Sequence, residues 1–125
     1  MMVYRVQDAE GRGPYRPGFS HRWADSDGPI MLPFYEEFGW SLTSIPGRFL
    51  PGEFAGCGFR ALDHLYRWFS PTECQRLSGF GYVIVFLYVD RVLAESAHQV
   101  VFARRRPLTD GIVITPWRGV LDAAR

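Results

Sequence analysis

Nine of the 13 glycines and six of the nine prolines fall between Gly11 and Gly58. Proline fixes φ and removes a backbone donor, and glycine weakens helices and strands alike. A stretch this rich in both is a poor host for long regular elements, so these are expected in the flanks. Turn signals recur along it: Glu10-Gly11-Arg12-Gly13-Pro14, Pro17-Gly18, Asp25-Ser26-Asp27-Gly28-Pro29, and Pro-Gly pairs at 46–47 and 51–52. It is not a solvated linker, because Phe19 to Gly58 holds two of the four tryptophans and five of the ten phenylalanines. Residues 11–58 therefore read as a long, structured, aromatic loop region that must pack on something. Loops of this length in a compact domain are uncommon and usually functional.

The flanks carry periodic signals. Met2 to Gln7 alternates and reads as a first strand, with Arg5 on the opposite face from Tyr4 and Val6. Over Ala61 to Phe69, the residues Leu62, Leu65, Tyr66 and Phe69 fall at helical spacing. Ser70-Pro71-Thr72-Glu73 is a capping box with proline at the first helical position, predicting a second helix over about Pro71 to Ser78 that stops at Gly79. Gly81 to Asp90 is apolar on both faces, as in a central strand. Gln99 to Arg104 and Ile112 to Thr115 read as two more strands, separated by the turn Thr109-Asp110-Gly111. The expected architecture is one α+β domain over 1–125. It has a first strand at 2–7, two short helices at 61–78, C-terminal strands at 81–115 and a mainly antiparallel twisted sheet.

Bulk properties narrow the function classes. The 125 residues are one domain's worth of chain, and their formal charge is +1. That gives no global field for a nucleic-acid backbone, so nucleic acid is not an expected partner. The longest apolar run, Tyr82 to Val89, is far shorter than the roughly 20 residues of a spanning helix. The N-terminus lacks a signal-peptide pattern, and with only Cys57 and Cys74 as thiols the chain is expected in the host cell cytosol. His21, His64 and His98 are isolated in sequence and predict no metal site. Cys57, between two glycines and close to Asp63 and His64, mimics a thiol-enzyme set. Gly-Cys-Gly is more simply a tight backbone approach. The run Arg104-Arg105-Arg106 suits a phosphate or acidic partner as well as a solvated strand end.

Several motifs fall in a familiar order: Tyr4-Arg5-Val6, Gly13-Pro14-Tyr15, the run from Gly58-Phe59 through Leu62 and Leu65 to Trp68-Phe69, and Gln99-Val100-Val101-Phe102. The chain thereby resembles small phage and prophage proteins over residues 3–15 and 57–103. The layout also looks like an ADP-ribosyltransferase core. That resemblance implies an NAD site in which a first-strand arginine, here Arg5, holds a phosphate. Ser41 or Phe59 would lie near the nicotinamide ribose. A later strand would begin with a glutamate that stabilises a cationic ribose, and Gln99 stands there. A glutamine amide accepts a hydrogen bond but brings no negative charge. Glu95 is a nearby carboxylate, four residues earlier and out of register.

Two functional expectations follow. The first is an anti-CRISPR-like protein that binds and inhibits a host defence complex through its aromatic loop surface. Trp23, Phe34, Tyr35, Trp40 and Phe49 would be anchors, with Arg104, Arg105 and Arg106 as a second contact. The second is an NAD-dependent ADP-ribosyltransferase acting on a host protein, with Arg5, Ser41 and Phe59 at the cofactor and Gln99 or Glu95 at the ribose. Whether the chain is an enzyme turns on Gln99.

Overall fold

The computed structural model describes residues 1–15, 18–24 and 50–114. Strand β1 (Met2–Gln7) pairs antiparallel with β3 (Val83–Tyr88), running from Met2 opposite Tyr88 to Gln7 opposite Val83. On the far side of β3 lies β6 (Ile112–Ile114). A second antiparallel sheet has β5 (Val100–Arg104) at its centre, flanked by β2 (Phe54–Gly58) and β4 (Arg91–Glu95). The central positions of β3 and β5 explain their composition. β3 has three buried residues among six, and all five residues of β5 are buried.

Among the described residues one isolated bridge joins the two sheets. Tyr4 and Phe59 form an isolated antiparallel bridge, with Tyr4 N donating to Phe59 O at 2.8 Å and Phe59 N to Tyr4 O at 2.7 Å. Across this bridge the strands run β6-β3-β1-β2-β5-β4. Close approach requires glycine: a Cβ on Gly58 would lie 2.8 Å from the Tyr4 carbonyl oxygen. The tight-backbone reading of Gly-Cys-Gly is therefore the physical one.

Two short helices follow β2: α1 (Leu62–Trp68) and α2 (Pro71–Gly79). The capping box forms as the sequence dictates. Glu73 N donates to Ser70 Oγ at 3.1 Å and Ser70 N to Glu73 Oε1 at 2.9 Å. The helices cover one core cluster that includes Val6, Phe59, Leu65, Trp68, Phe69, Leu77 and Ile84. A second cluster joins residues contributed by the two sheets, Val3, Val85 and Leu87 from one and Val100 and Phe102 from the other, with Val89.

Two boundaries differ from expectation. The last residues of the 11–58 region are strand β2, because pairing with β5 satisfies a glycine-rich backbone that propensity alone would leave irregular. A fourth C-terminal strand, β4, is present at Arg91–Glu95. It is a half-exposed edge strand with a register shift between Val92 and Ala94, so it lacks the apolar run that marks β3.

Candidate functional site

A cavity of about 290 Å³ opens where β1, β2, the head of β5 and α1 converge, and its lining includes Arg5, Tyr15, Cys57, Phe59, Trp68 and Gln99. The register explains part of this meeting. Gly58 is paired with Val100, so the next pair outward sets Phe59 opposite Gln99. Residues 57 and 59 point to the same side of their strand.

Arg5 is 8% exposed. Its guanidinium donates from Nε to Gln7 Oε1 (3.0 Å), from Nη1 to the Cys57 carbonyl (2.8 Å) and from Nη2 to the Gly11 carbonyl (3.1 Å). All three acceptors are neutral, and no ion pair among the described residues includes Arg5. Burial pushes its pKa down, against the opposing pull of Cys57, Asp8 and Tyr82. A guanidinium nevertheless remains charged. With five N–H groups to offer, it keeps two beyond these three bonds. Gly56 makes room for it, since a Cβ there would lie 2.9 Å from Nη1 and 3.1 Å from the Phe102 ring.

The facing wall is a strap over residues 8–15. Asp8 Oδ1 accepts from the backbone N–H of Glu10 (3.0 Å) and of Arg12 (2.9 Å), and Oδ2 accepts from Arg12 Nε (2.8 Å). Burial alone would raise the Asp8 pKa. The hydrogen bonds and the charge of Arg12 outweigh burial and hold it below the usual carboxylate value. Gly11 makes the turn at φ +82°. Three core side chains then pin the strap: Tyr82 OH to Gly13 O (3.2 Å), Trp23 Nε1 to Pro14 O (3.0 Å) and Trp68 Nε1 to Tyr15 OH (2.7 Å).

Gln99 is seated by a turn in which Ser96 Oγ accepts from the backbone N–H of His98 (3.0 Å) and Gln99 (3.1 Å). On its other side is a hollow of about 40 Å³ lined by His64, Glu95 and His98 among others. Glu95 is held there by both forks of Arg60, with Nη2 donating to Oε1 at 2.5 Å and Nε to Oε2. The hydrogen bonds from Arg60 keep the Glu95 carboxyl below its usual pKa. Glu95 thus faces the hollow beyond Gln99 rather than the large cavity.

Other sequence candidates are placed differently. Trp23, expected at a partner surface, is 1% exposed and packs in the helix-side core against Tyr15 and Phe69. Arg104, expected in an exposed cluster, is 1% exposed and ion-paired with Asp110. β5 is central and buried along its whole length, and Arg104 is its last residue. Arg106 stays exposed and reaches Asp110 at 3.2 Å, and Arg105 is exposed beside it. Ser41, Phe34, Tyr35, Trp40 and Phe49 lie outside the described residues. Among the described residues no cluster of three His, Cys, Asp or Glu side chains is placed to hold a metal ion. No helix among them is long and apolar enough to cross a membrane.

Sequence reasoning overlooked Tyr15, Trp68 and Phe69 as cavity walls. The signal was present in two motifs, Gly13-Pro14-Tyr15 and Trp68-Phe69, which meet across the cavity. Periodicity assigned Phe69 to a core face, and nothing local ties residue 15 to residue 68.

The chain belongs to the Bacteriophage T4 Y00F protein family, whose model matches residues 1–109. No curated protein and no solved structure matches it.

Proposed function

We propose that this phage-family protein binds a small phosphate-bearing ligand of nucleotide type in the Arg5–Gln99 cavity, with NAD as the first candidate. The carrying observation is that Arg5, Phe59 and Gln99, three positions singled out by the ADP-ribosyltransferase resemblance and spread over most of the chain, line one cavity. A buried cation whose described bonds all go to neutral acceptors is costly unless an anion completes its environment. In this reading the two further N–H groups of Arg5 hold a phosphate oxygen pair. The Gln99 amide accepts from a ribose hydroxyl, and Phe59 supplies an apolar wall.

Titration calorimetry with NAD and ADP-ribose tests the reading. Saturable binding that weakens at least tenfold in Arg5→Lys supports it, because lysine keeps the charge and loses the fork. No binding of either ligand at millimolar concentration would sink it.

The place of Gln99 at the head of β5 favours transferase chemistry as a second reading, by the same resemblance. What Gln99 lacks is the charge for a developing ribose cation. Labelled NAD incubated with host proteins should then give slow transfer that Gln99→Glu accelerates. Transfer absent from both forms removes this reading while leaving binding intact. Inhibition of a host defence complex is a separate proposal. It rests on exposed Arg105 and Arg106 and on loop aromatics outside the described residues, with Trp23 no longer available as an anchor.

A further inference from the structure

The charge and the donors of the cavity narrow the kind of phosphate it can hold. Among the described residues that line it, Arg5 is the one cation. Arg12 and Arg60, each next in sequence to a lining residue, are committed to carboxylates. Arg12 reaches Asp8 at 2.8 Å and Glu10 at 3.3 Å, and Arg60 holds Glu95. Arg5 also feels the charge of Asp8, so part of its field is already answered. Much of the remaining lining is apolar, from Val6, Pro14, Phe59, Trp68 and Phe69. A second negative charge placed here would be buried without a partner, which costs far more than burying a paired one.

Phosphate esters differ in what they ask of such a site. Near neutrality a monoester carries a charge of about −1.5 to −2 on its three terminal oxygens. A diester carries a single charge shared by two such oxygens. Each phosphate of NAD is of this second kind. Arg5 offers one charge and, beyond its bonds to Gln7, Cys57 and Gly11, two N–H groups. Two N–H groups of one guanidinium on two oxygens of one anion is the strong form of this contact. The match is with the singly charged phosphate, in charge and in donors alike.

We propose that the cavity selects a phosphate with one negative charge on two terminal oxygens, and rejects the doubly charged phosphate of a monoester. This rests on the cavity being a phosphate site, and it adds the charge state of the phosphate that enters. It keeps NAD and ADP-ribose as ligands and excludes mononucleotides in their dianionic form.

The test pairs AMP with cyclic AMP, which share base and sugar and differ in one ionisation. With a second phosphate pKa of about 6, AMP is about one-thirtieth monoanion at about pH 7.5 and mostly monoanion at about pH 5.5. Cyclic AMP should therefore bind about thirtyfold more tightly at the higher pH, and the two should come within about threefold at the lower. Asp8, Cys57 and Tyr82 act on Arg5, and His64 and His98 lie beyond Gln99. Cyclic AMP, whose own charge is constant, reads any titration of these groups and so serves as the control. Calorimetry in two buffers of different ionisation enthalpy gives a second reading. At the higher pH, AMP should take up about one proton more than cyclic AMP on binding. Arg5→Lys should weaken both ligands at least tenfold. AMP binding as tightly as cyclic AMP at the higher pH, with no extra proton, overturns the charge selection and leaves the phosphate site standing. Failure of both ligands to bind at either pH, or affinities that a folded Arg5→Lys protein leaves unchanged, overturns the phosphate site and the charge selection together.

Discussion

Arg5 and Arg104 are both buried arginines on strands, yet their surroundings are opposite. Arg104, 1% exposed, has a carboxylate partner in Asp110, while its Nε and Nη1 have no hydrogen-bond partner. Arg5 has three good hydrogen bonds to neutral oxygens, and its guanidinium borders open space. Arg104 is ion-paired from within and poorly hydrogen-bonded, whereas Arg5 is well oriented and makes no ion pair among the described residues. An orienting shell of neutral acceptors around a permanent cation is what an anion site requires. An internal ion pair only has to offset its own desolvation. Burial alone therefore does not separate the arginine proposed to bind a ligand from the one held in an internal ion pair. The identity of the acceptors does.

The largest expected contrast comes from truncating each cation. Arg5→Ala should destabilise by about 3–5 kcal/mol, because it strands the carbonyls of Gly11 and Cys57 and the Gln7 amide. It should also abolish ligand binding. Arg104→Met should leave ligand affinity unchanged and alter stability by no more than about 1 kcal/mol, since a matched apolar chain replaces an under-satisfied charge. Chemical denaturation with parallel ligand titration reads both. Equal losses of affinity would erase the distinction.

Next is the partner of Arg104. Asp110→Ala leaves that cation buried without its carboxylate and should cost about 2 kcal/mol, less than a fully buried pair because Asp110 is 37% exposed. Combining it with Arg104→Met should recover most of the loss, and an additive double mutant would show that the pair is not the cause.

A similar cost, about 1–3 kcal/mol, is expected for Gly56→Ala, whose new methyl would press on Arg5 Nη1 and the Phe102 ring. Affinity should fall in step with stability, unlike in any Arg104 variant.

The strap gives a smaller and pH-dependent effect. The Asp8 pKa is depressed in the folded protein, so its contribution is present above the ordinary carboxylate value of about 4 and is lost as pH falls through the lower folded value. Ligand affinity and thermal stability should decline together in that acid window. Asp8→Asn should cost about 1 kcal/mol near neutrality and flatten the acid limb. Ser70→Ala, at the cap of α2, should cost about 1 kcal/mol of stability and leave affinity untouched.

Local signals were legible where one residue class decides the outcome. The Ser70–Glu73 box set the start of α2, alternation marked β1, and the apolar run at residues 82–89 marked β3. Strand β4 was not legible, because a five-residue edge strand with ion-paired ends looks like loop. Nor was β2, whose glycines are permitted only by the partner strands beside them. At the site, Arg5 and Gln99 stood out by type and position. Tyr15 and Trp68 did not, since a hydrogen bond across 53 residues leaves no trace in either neighbourhood.

The sequence by itself determined the helices, the strand-rich C-terminal half and the α+β class, because caps and periodicity act over a few residues. It also determined which cations exist to bind anything. Only the tertiary structure decided which of those cations faces a cavity and which faces a carboxylate. That choice depends on which strands become neighbours, and on Gly56 and Gly58 letting two sheets approach closely enough for Arg5, Phe59 and Gln99 to meet.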